Sequence, residues 1–302
     1  MDRWAGVFPA ATTKLRQDGS IDLGATQASI GRLIENGVSG VIVLPMLGEN
    51  ASLQPAEKES VIRAAKEVVG GRVPLLSGLA EISTENATRS ARLFQTYGAE
   101  GLMVFPSLAY KTDARETVEW YKAVAAASDL PIMIYNNPIA YKVDVTPVIL
   151  RELVDTPSIQ CIKEESGDIR RVTDIYNELG SRFSVFCGVD DLILESMALG
   201  ATGWVSGMTN AWPGECVNLF KMCLAGNFAE ARRLYRILTP AFHLDTDVKL
   251  VQYIKLAEHI VCGAPEWVRS PRLPLLGEER KNVSSIIEAT VRALGVYARK
   301  AA

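Results

Sequence analysis

A short joint recurs along this chain and limits what it can fold into. Gly37-Val38-Ser39-Gly40 precedes Val41-Ile42-Val43, Gly98-Ala99-Glu100-Gly101 precedes Leu102-Met103-Val104, and Gly200-Ala201-Thr202-Gly203 precedes Trp204-Val205. Each time an amphipathic segment stops at the first glycine and an apolar run begins after the second. The first glycine suits the left-handed residue that closes a helix. The short apolar run suits a strand buried on both faces. A helix-to-strand joint used repeatedly implies parallel strands linked by right-handed helical crossovers.

Reading outward from the joints predicts eight strands, near 6–12, 40–45, 74–79, 101–106, 131–136, 159–164, 184–188 and 202–207, with a helical segment in each gap. Pro55 suits the first turn of a helix carrying Val61, Ile62, Ala65 and Val68. Asp113 and Glu116 resemble a capping box ahead of Val118, Tyr121 and Val124. Eight near-equal units predict an α/β fold, a (β/α)8 TIM barrel, over an open doubly wound sheet. The barrel is expected to occupy 1–226 and a C-terminal helical region 227–302, with helices near 227–242, 246–262 and 280–298 and an extended connector from Arg269 to Gly277.

Charge and composition exclude several functions. With Lys+Arg 32 against Asp+Glu 35, the net charge of -3 gives no electrostatic case for nucleic acid or an anionic membrane as partner. The five cysteines (Cys161, Cys187, Cys216, Cys223, Cys262) contain no C-x-x-C, so neither a disulfide framework nor a zinc site is expected. The two histidines, His243 and His259, do not have the spacing of an HExxH helix. Residues 1–20 have no apolar signal-like region, and no stretch of ~18 apolar residues is present to span a bilayer. The expectation is a soluble, cytoplasmic protein.

In a barrel, reactive side chains come from the C-terminal ends of strands and the loops beyond. Lys163 follows the mostly apolar run Ile159-Gln160-Cys161-Ile162. Desolvation disfavours an ammonium, so a lysine there can act as a nucleophilic amine and form a Schiff base with a carbonyl or imine carbon. The alternative is a strand-end lysine reaching to solvent. Tyr135 ends the neighbouring strand, where a phenol can pass protons or merely pack. Glu165 shares the strand parity of Lys163 and is a further acid/base candidate. Glu49, Asp190 and Asp191 could be helix-start carboxylates. His243 and His259 fall on the helical region and read as structural.

These residues resemble the dihydrodipicolinate synthase / N-acetylneuraminate lyase family along essentially the whole chain. The matching motifs are Gly48-Glu49, Tyr135-Asn136-x-Pro138, Ile162-Lys163-Glu164-x-Ser166-Gly167-Asp168, Gly188-x-Asp190-Asp191 and the segment Gly203 to Asn210. The resemblance implies a (β/α)8 barrel, often tetrameric, a Schiff base on Lys163, Tyr135 as proton relay, and bond making or breaking beside the carbonyl of a 2-oxo acid. It implies no metal or separate cofactor. It places Leu47, Gly48, Glu49, Gly188 and Ser206 at the substrate, with Glu165 and Tyr110 as possible acids or bases.

Three departures narrow the function. The family's synthases carry two hydroxyl residues before Gly-Glu, where this chain has Met46 and Leu47. Their tyrosine pair after strand four is replaced by Ser107-Leu108, with Tyr110 out of register. The arginine two residues beyond the Tyr-Asn-x-Pro proline is Ala140. These losses argue against lysine biosynthesis, and the first also argues against sialic acid cleavage. The segments 47–53, 135–138 and 244–253 are similar to 4-hydroxy-1-pyrroline-2-carboxylate deaminases of hydroxyproline breakdown. Competing expectations are an aldolase or dehydratase of a 2-keto-3-deoxy sugar acid, and a non-catalytic 2-oxo acid binding protein. No G-x-G-x-x-G follows the first strand, which disfavours a nicotinamide enzyme.

Overall fold

The eight strands lie inside the predicted intervals and close on one another. The computed structural model describes residues 4–301; Met1 to Arg3 and Ala302, at the two ends of the expected barrel and helical region, lie outside the described residues. In chain order the elements are β1 Gly6–Pro9, α1 Leu23–Glu35, β2 Val41–Val43, α2 Pro55–Val69, β3 Leu75–Leu79, α3 Thr84–Tyr97, β4 Gly101–Val104 and α4 Ala114–Ala125. Then come β5 Ile132–Asn136, α5 Pro138–Tyr141, α6 Pro147–Arg151, β6 Ile159–Glu164, α7 Arg170–Leu179, β7 Ser184–Cys187, α8 Ile193–Ala198 and β8 Gly203–Ser206. Helices α9 Pro213–Leu224, α10 Phe228–Phe242, α11 Leu250–Cys262 and α12 Gly277–Ala301 complete the described chain.

The sheet order is β1-β8-β7-β6-β5-β4-β3-β2, all parallel. A parallel bridge between Ala10 and Ile42 closes the seam between β1 and β2. This is the expected (β/α)8 barrel with helices around it and at its C-terminal end.

The helix starts follow the predicted chemistry. Pro55 opens α2 with a capping box between Gln54 and Glu57, and Asp113 and Glu116 form the same reciprocal pair at α4. The joints are also as expected at their first glycine: Gly37, Gly98 and Gly200 have φ of +85°, +108° and +95°. The second glycine has another cause. A Cβ on Gly40 would lie 2.1 Å from the Phe8 ring, one on Gly101 2.3 Å from Trp4, and one on Gly203 2.2 Å from Phe186. Aromatic rings packed against the strand starts therefore exclude any side chain there.

The last four helices share one continuous apolar core with the barrel, including Leu234, Phe242, Ile254 and Ile287. Helix α11 begins at Leu250, later than expected, because residues 243–246 form a 3-10 turn and Asp247 is extended. Two fully buried ion pairs fasten α11 to the barrel. Lys14, beyond β1, meets Glu258, and Lys255 lies 2.5 Å from Glu49, beyond β2. The fastening places the turn before α11 over the C-terminal ends of the strands. No helix among the described residues is long and apolar enough to cross a membrane.

Candidate active site

Strands β5 and β6 pair with Tyr135 directly opposite Lys163, so the two side chains emerge at one height. Both are buried. The Lys163 Nζ lies 3.9 Å from the centroid of the Tyr135 ring and 2.7 Å from Glu165 Oε2. At that separation Glu165 Oε2 is the carboxylate oxygen placed to exchange a proton with the amine. Gly188, just beyond β7, gives the lysine room. A Cβ there would lie 3.0 Å from Lys163 Cε and 2.9 Å from Glu165 Cβ.

Asn137 ties the phenol to the carboxylate. Its Nδ2 donates to Glu165 Oε1 at 2.8 Å and approaches the Tyr135 hydroxyl at 3.3 Å. Its Oδ1 accepts from the Ala140 N–H at 2.9 Å, which caps α5. The Tyr135 ring is held edge-to-face by Phe105 and Tyr141, with centroids 4.8 and 5.6 Å away. Burial, with Glu165 beside it, holds the Tyr135 hydroxyl well above its ordinary pKa. The phenol is therefore kept protonated and available as a donor.

A pair of carboxyls completes the surroundings of the amine. Asp190 accepts from Met208 N at 2.6 Å and from Trp204 Nε1 at 3.0 Å. Asp245, from the turn before α11, accepts a longer bond from Asp190 N at 3.4 Å. Burial pushes both carboxyls up, and the charges of Asp190 and Glu165 push Asp245 further, well above its ordinary value. Asp190 has the better donors, so Asp245 is the member that retains the proton.

Two connected spaces open from the amine. A narrow inner chamber of about 20 Å³ is bounded by Lys163, Tyr135, Glu165, Gly188, Leu47 and Asp245. An outer cavity of about 810 Å³ shares Glu165 and Asp245 and widens between Leu108, Ala140, Tyr141, Val189, Asp247 and Arg272. Among the described residues the Arg272 guanidinium reaches no carboxylate closer than Glu49, at 3.9 Å, so the outer wall carries a weakly engaged cation among several acids.

The structure thus brings together Lys163, Tyr135, Glu165, Leu47 and Gly188. Four other expectations require correction. Glu49 is fully buried away from the cavity, where its carboxylate meets Lys255 and accepts from Arg269 N at 2.9 Å; it fastens the fold. The Gly48 and Glu49 N–H groups donate to Pro45 O and Met46 O at 3.1 and 2.9 Å, so neither remains for a substrate. Ser206 turns its hydroxyl to Thr209 N at 3.0 Å, ordering the end of β8 rather than facing the chamber. Tyr110 is 58% exposed and donates to Glu116 at 2.7 Å, outside the site in this chain.

Asp190 is not a helix cap but the acceptor at the β8 turn, while Asp191 pairs with His243 at 2.7 Å. Sequence reasoning missed Asn137, Asp245 and Arg272. Asn137 occupied the variable position of a recognised motif, and Asp245 lay in a segment quoted for likeness alone. Among the described residues, no group of three or more His, Cys, Asp or Glu is arranged to hold a metal ion.

Comparison with known proteins agrees with this geometry. Residues 3–290 match the model of the dihydrodipicolinate synthetase family. A 4-hydroxy-tetrahydrodipicolinate synthase from Exiguobacterium sibiricum is 31% identical over 292 residues, covering 96% of this chain and 98% of that protein. A probable 2-dehydro-3-deoxy-D-pentonate aldolase of Escherichia coli is 28% identical and covers 98% of this chain and 99% of that protein. Among solved structures, the 4-hydroxy-tetrahydrodipicolinate synthase of Methylacidiphilum fumariolicum superposes with a TM-score of 0.93 at 26% identity, over 98% and 99% of the two chains. A prophage protein of Escherichia coli, solved with pyruvate, gives 0.89 at 28% identity over 95% and 98%.

Proposed function

Since this chain belongs to the dihydrodipicolinate synthetase family, a family of class I aldolases and lyases, we propose that it is a Schiff-base lyase of 2-oxo or cyclic imino acids, with 4-hydroxy-1-pyrroline-2-carboxylate as substrate. The observation that carries the proposal is the lysine–tyrosine–glutamate constellation at one height in a closed chamber whose second-substrate clamps are missing. The family's metal-free covalent chemistry fits a site that supplies its own amine.

Glu165 takes a proton from Lys163, freeing the amine to attack C2 of the cyclic imine. The ring nitrogen then leaves C2, taking that proton and a second one from the Lys163 nitrogen, and becomes a primary amine on C5. Lys163 remains joined to C2 as a protonated Schiff base, an electron sink that acidifies C3. Loss of a C3 proton to Glu165 gives an enamine, which expels the C4 hydroxyl. Tautomerisation carries the unsaturation to C5 as an imine. Hydrolysis there releases ammonia, and hydrolysis at C2 frees Lys163. One substrate and one net water give 2,5-dioxopentanoate and ammonia. Tyr135 serves as proton relay beside C2, held protonated and tied to Glu165 through Asn137. For the substrate carboxylate, we assign the Leu47 N–H at the chamber wall, since those of Gly48 and Glu49 are taken up within the turn.

A second reading has its own support. The 810 Å³ outer cavity with Arg272 on its wall exceeds what a five-membered ring requires, and one relative is named as a sugar-acid aldolase. Product analysis separates the two. Ammonia without pyruvate from 4-hydroxy-1-pyrroline-2-carboxylate supports the deaminase. Pyruvate release from a 2-keto-3-deoxy sugar acid, with no ammonia from the imino acid, overturns it.

A further inference from the structure

The carboxyls near Lys163 outnumber the amine, and two of them have no use in the steps above: Asp190, which orders the β8 turn, and Asp245. Asp245 is 9% exposed, and its remaining exposure is toward the chamber and cavity it lines. Its Oδ2 receives the 3.4 Å bond from Asp190 N. Its Oδ1 lies over Gly207, at the end of β8, where a Cβ would come within 2.5 Å of it. The glycine therefore leaves space that this oxygen occupies. Asp245 stands in the same chamber wall as Glu165, Lys163 and Tyr135, but comes from a different segment of the chain.

We infer that Asp245 is a catalytic residue, the general acid that protonates the departing C4 hydroxyl. The inference rests on the Schiff-base reading above and assigns the site to β-elimination. As the enamine lone pair reforms the C2=N bond, the C3 electrons form C3=C4 and the C4–O pair leaves with oxygen. That oxygen takes the Asp245 proton and departs as water. Glu165 ends the step protonated and Asp245 ionised, and exchange with solvent resets both. Glu165 accepts the C3 proton and Asp245 donates to the C4 oxygen, so no proton has to be carried from one side of the substrate to the other between the two steps.

The surroundings support that division. Asp190, Glu165, Lys163 and Tyr135 face Asp245 from the neighbouring strand ends. On its own turn, His243 is turned away to Asp191. In the inner chamber the cation facing Asp245 is Lys163, held by Glu165 at 2.7 Å, and in the outer cavity it is Arg272, 3.9 Å from Glu49. Burial beside two carboxylates raises Asp245 and favours its acid form.

The test pairs Asp245→Asn with two substrates, 4-hydroxy-1-pyrroline-2-carboxylate and its 4-fluoro analogue, whose fluoride leaves without needing a proton. Borohydride trapping on Lys163 by the variant shows that the fold and the Schiff base survive. The expected result is a loss of ~10²–10⁴-fold in kcat on the hydroxyl substrate, with the fluoro analogue within about tenfold of wild type. Equal losses on both substrates, or none on either, overturn the inference. If the variant does not trap, the wild-type pH profiles decide. The hydroxyl substrate should lose kcat as pH rises through the Asp245 ionisation, and the fluoro analogue should not; a shared alkaline limb overturns it. Wild-type protein that traps neither the imino acid nor pyruvate contradicts the Schiff-base reading itself, a different failure.

Discussion

Two groups of buried charge flank the start of α11, and only one of them is balanced. In the first, Lys14 meets Glu258 and Lys255 meets Glu49, with Thr12, the Trp267 carbonyl and the Arg269 N–H filling remaining positions. Two amines face two carboxylates, and every charge has hydrogen bonds. In the second, Lys163 has Glu165 as ion-pair partner, while Asp190 and Asp245 crowd nearby, both raised by burial and Asp245 also by the charge of Asp190. The first group is a fastener, and the second is kept reactive by being incompletely satisfied. Burial alone therefore does not distinguish a catalytic lysine from a structural one. Lys255 is the more deeply buried of the two, and burial pushes its ammonium down, yet Glu49 occupies it and it lines neither the chamber nor the outer cavity.

The largest expected effect removes the amine of the unbalanced group. Lys163→Ala should lower turnover by on the order of 10⁴-fold or more and abolish borohydride-trapped adduct, while the unfolding midpoint stays near wild type. Residual trapping on another lysine would erase the contrast between the two groups.

The matching change in the balanced group should do the reverse. Lys255→Met leaves Glu49 buried without its ammonium and should cost about 3–5 kcal/mol of stability, read as a shift in denaturant midpoint. Protein that remains folded should still form adduct on Lys163. A variant as stable as wild type would show that the pair is no fastener.

A smaller loss is expected from Tyr135→Phe, which keeps the ring between Phe105 and Tyr141 but removes the hydroxyl. Its kcat should fall ~10²–10³-fold with the adduct still trappable in prolonged incubation. An unchanged kcat would reduce Tyr135 to packing.

The smallest effect concerns stability and pH. The folded pKa of Asp245 is raised, so its protonation stabilises the fold below the unfolded carboxylate range, and that contribution is lost as pH rises through the folded value. Asp245→Asn removes the penalty and should raise the thermal midpoint by a few degrees at neutral pH. Its stability should also vary less between about pH 4 and pH 7 than that of wild type. Activity and stability would then move in opposite directions at one residue. A lower midpoint for the variant at neutral pH would contradict the crowding of the second group.

The sequence was most legible where a local rule acted alone. The joint glycines, Pro55 at the start of α2, the capping box at α4, and the apolar strand runs predicted the barrel because each needs only its neighbours in the chain. Lys163 and Tyr135 were legible because strand ends of a barrel must converge, and their pairing follows from strand order. Side-chain direction was not. Glu49 and Ser206 occupy predicted turns, yet a left-handed φ of 55° at Glu49 and the Thr209 N–H at Ser206 turn them away from the chamber. Asp245 entered the site only because two buried ion pairs fasten α11 across the barrel mouth, contacts that span more than 200 residues of sequence. The reason for the second glycine of each joint was equally distant, residing in rings from other strands and from Trp4.

The most direct test of the contrast between the two groups is borohydride reduction in the presence of 4-hydroxy-1-pyrroline-2-carboxylate and, separately, pyruvate, followed by peptide mapping. The account predicts a single adduct, on Lys163, with Lys14 and Lys255 unmodified. No adduct with either compound, or one on Lys255 or Lys14, would contradict it.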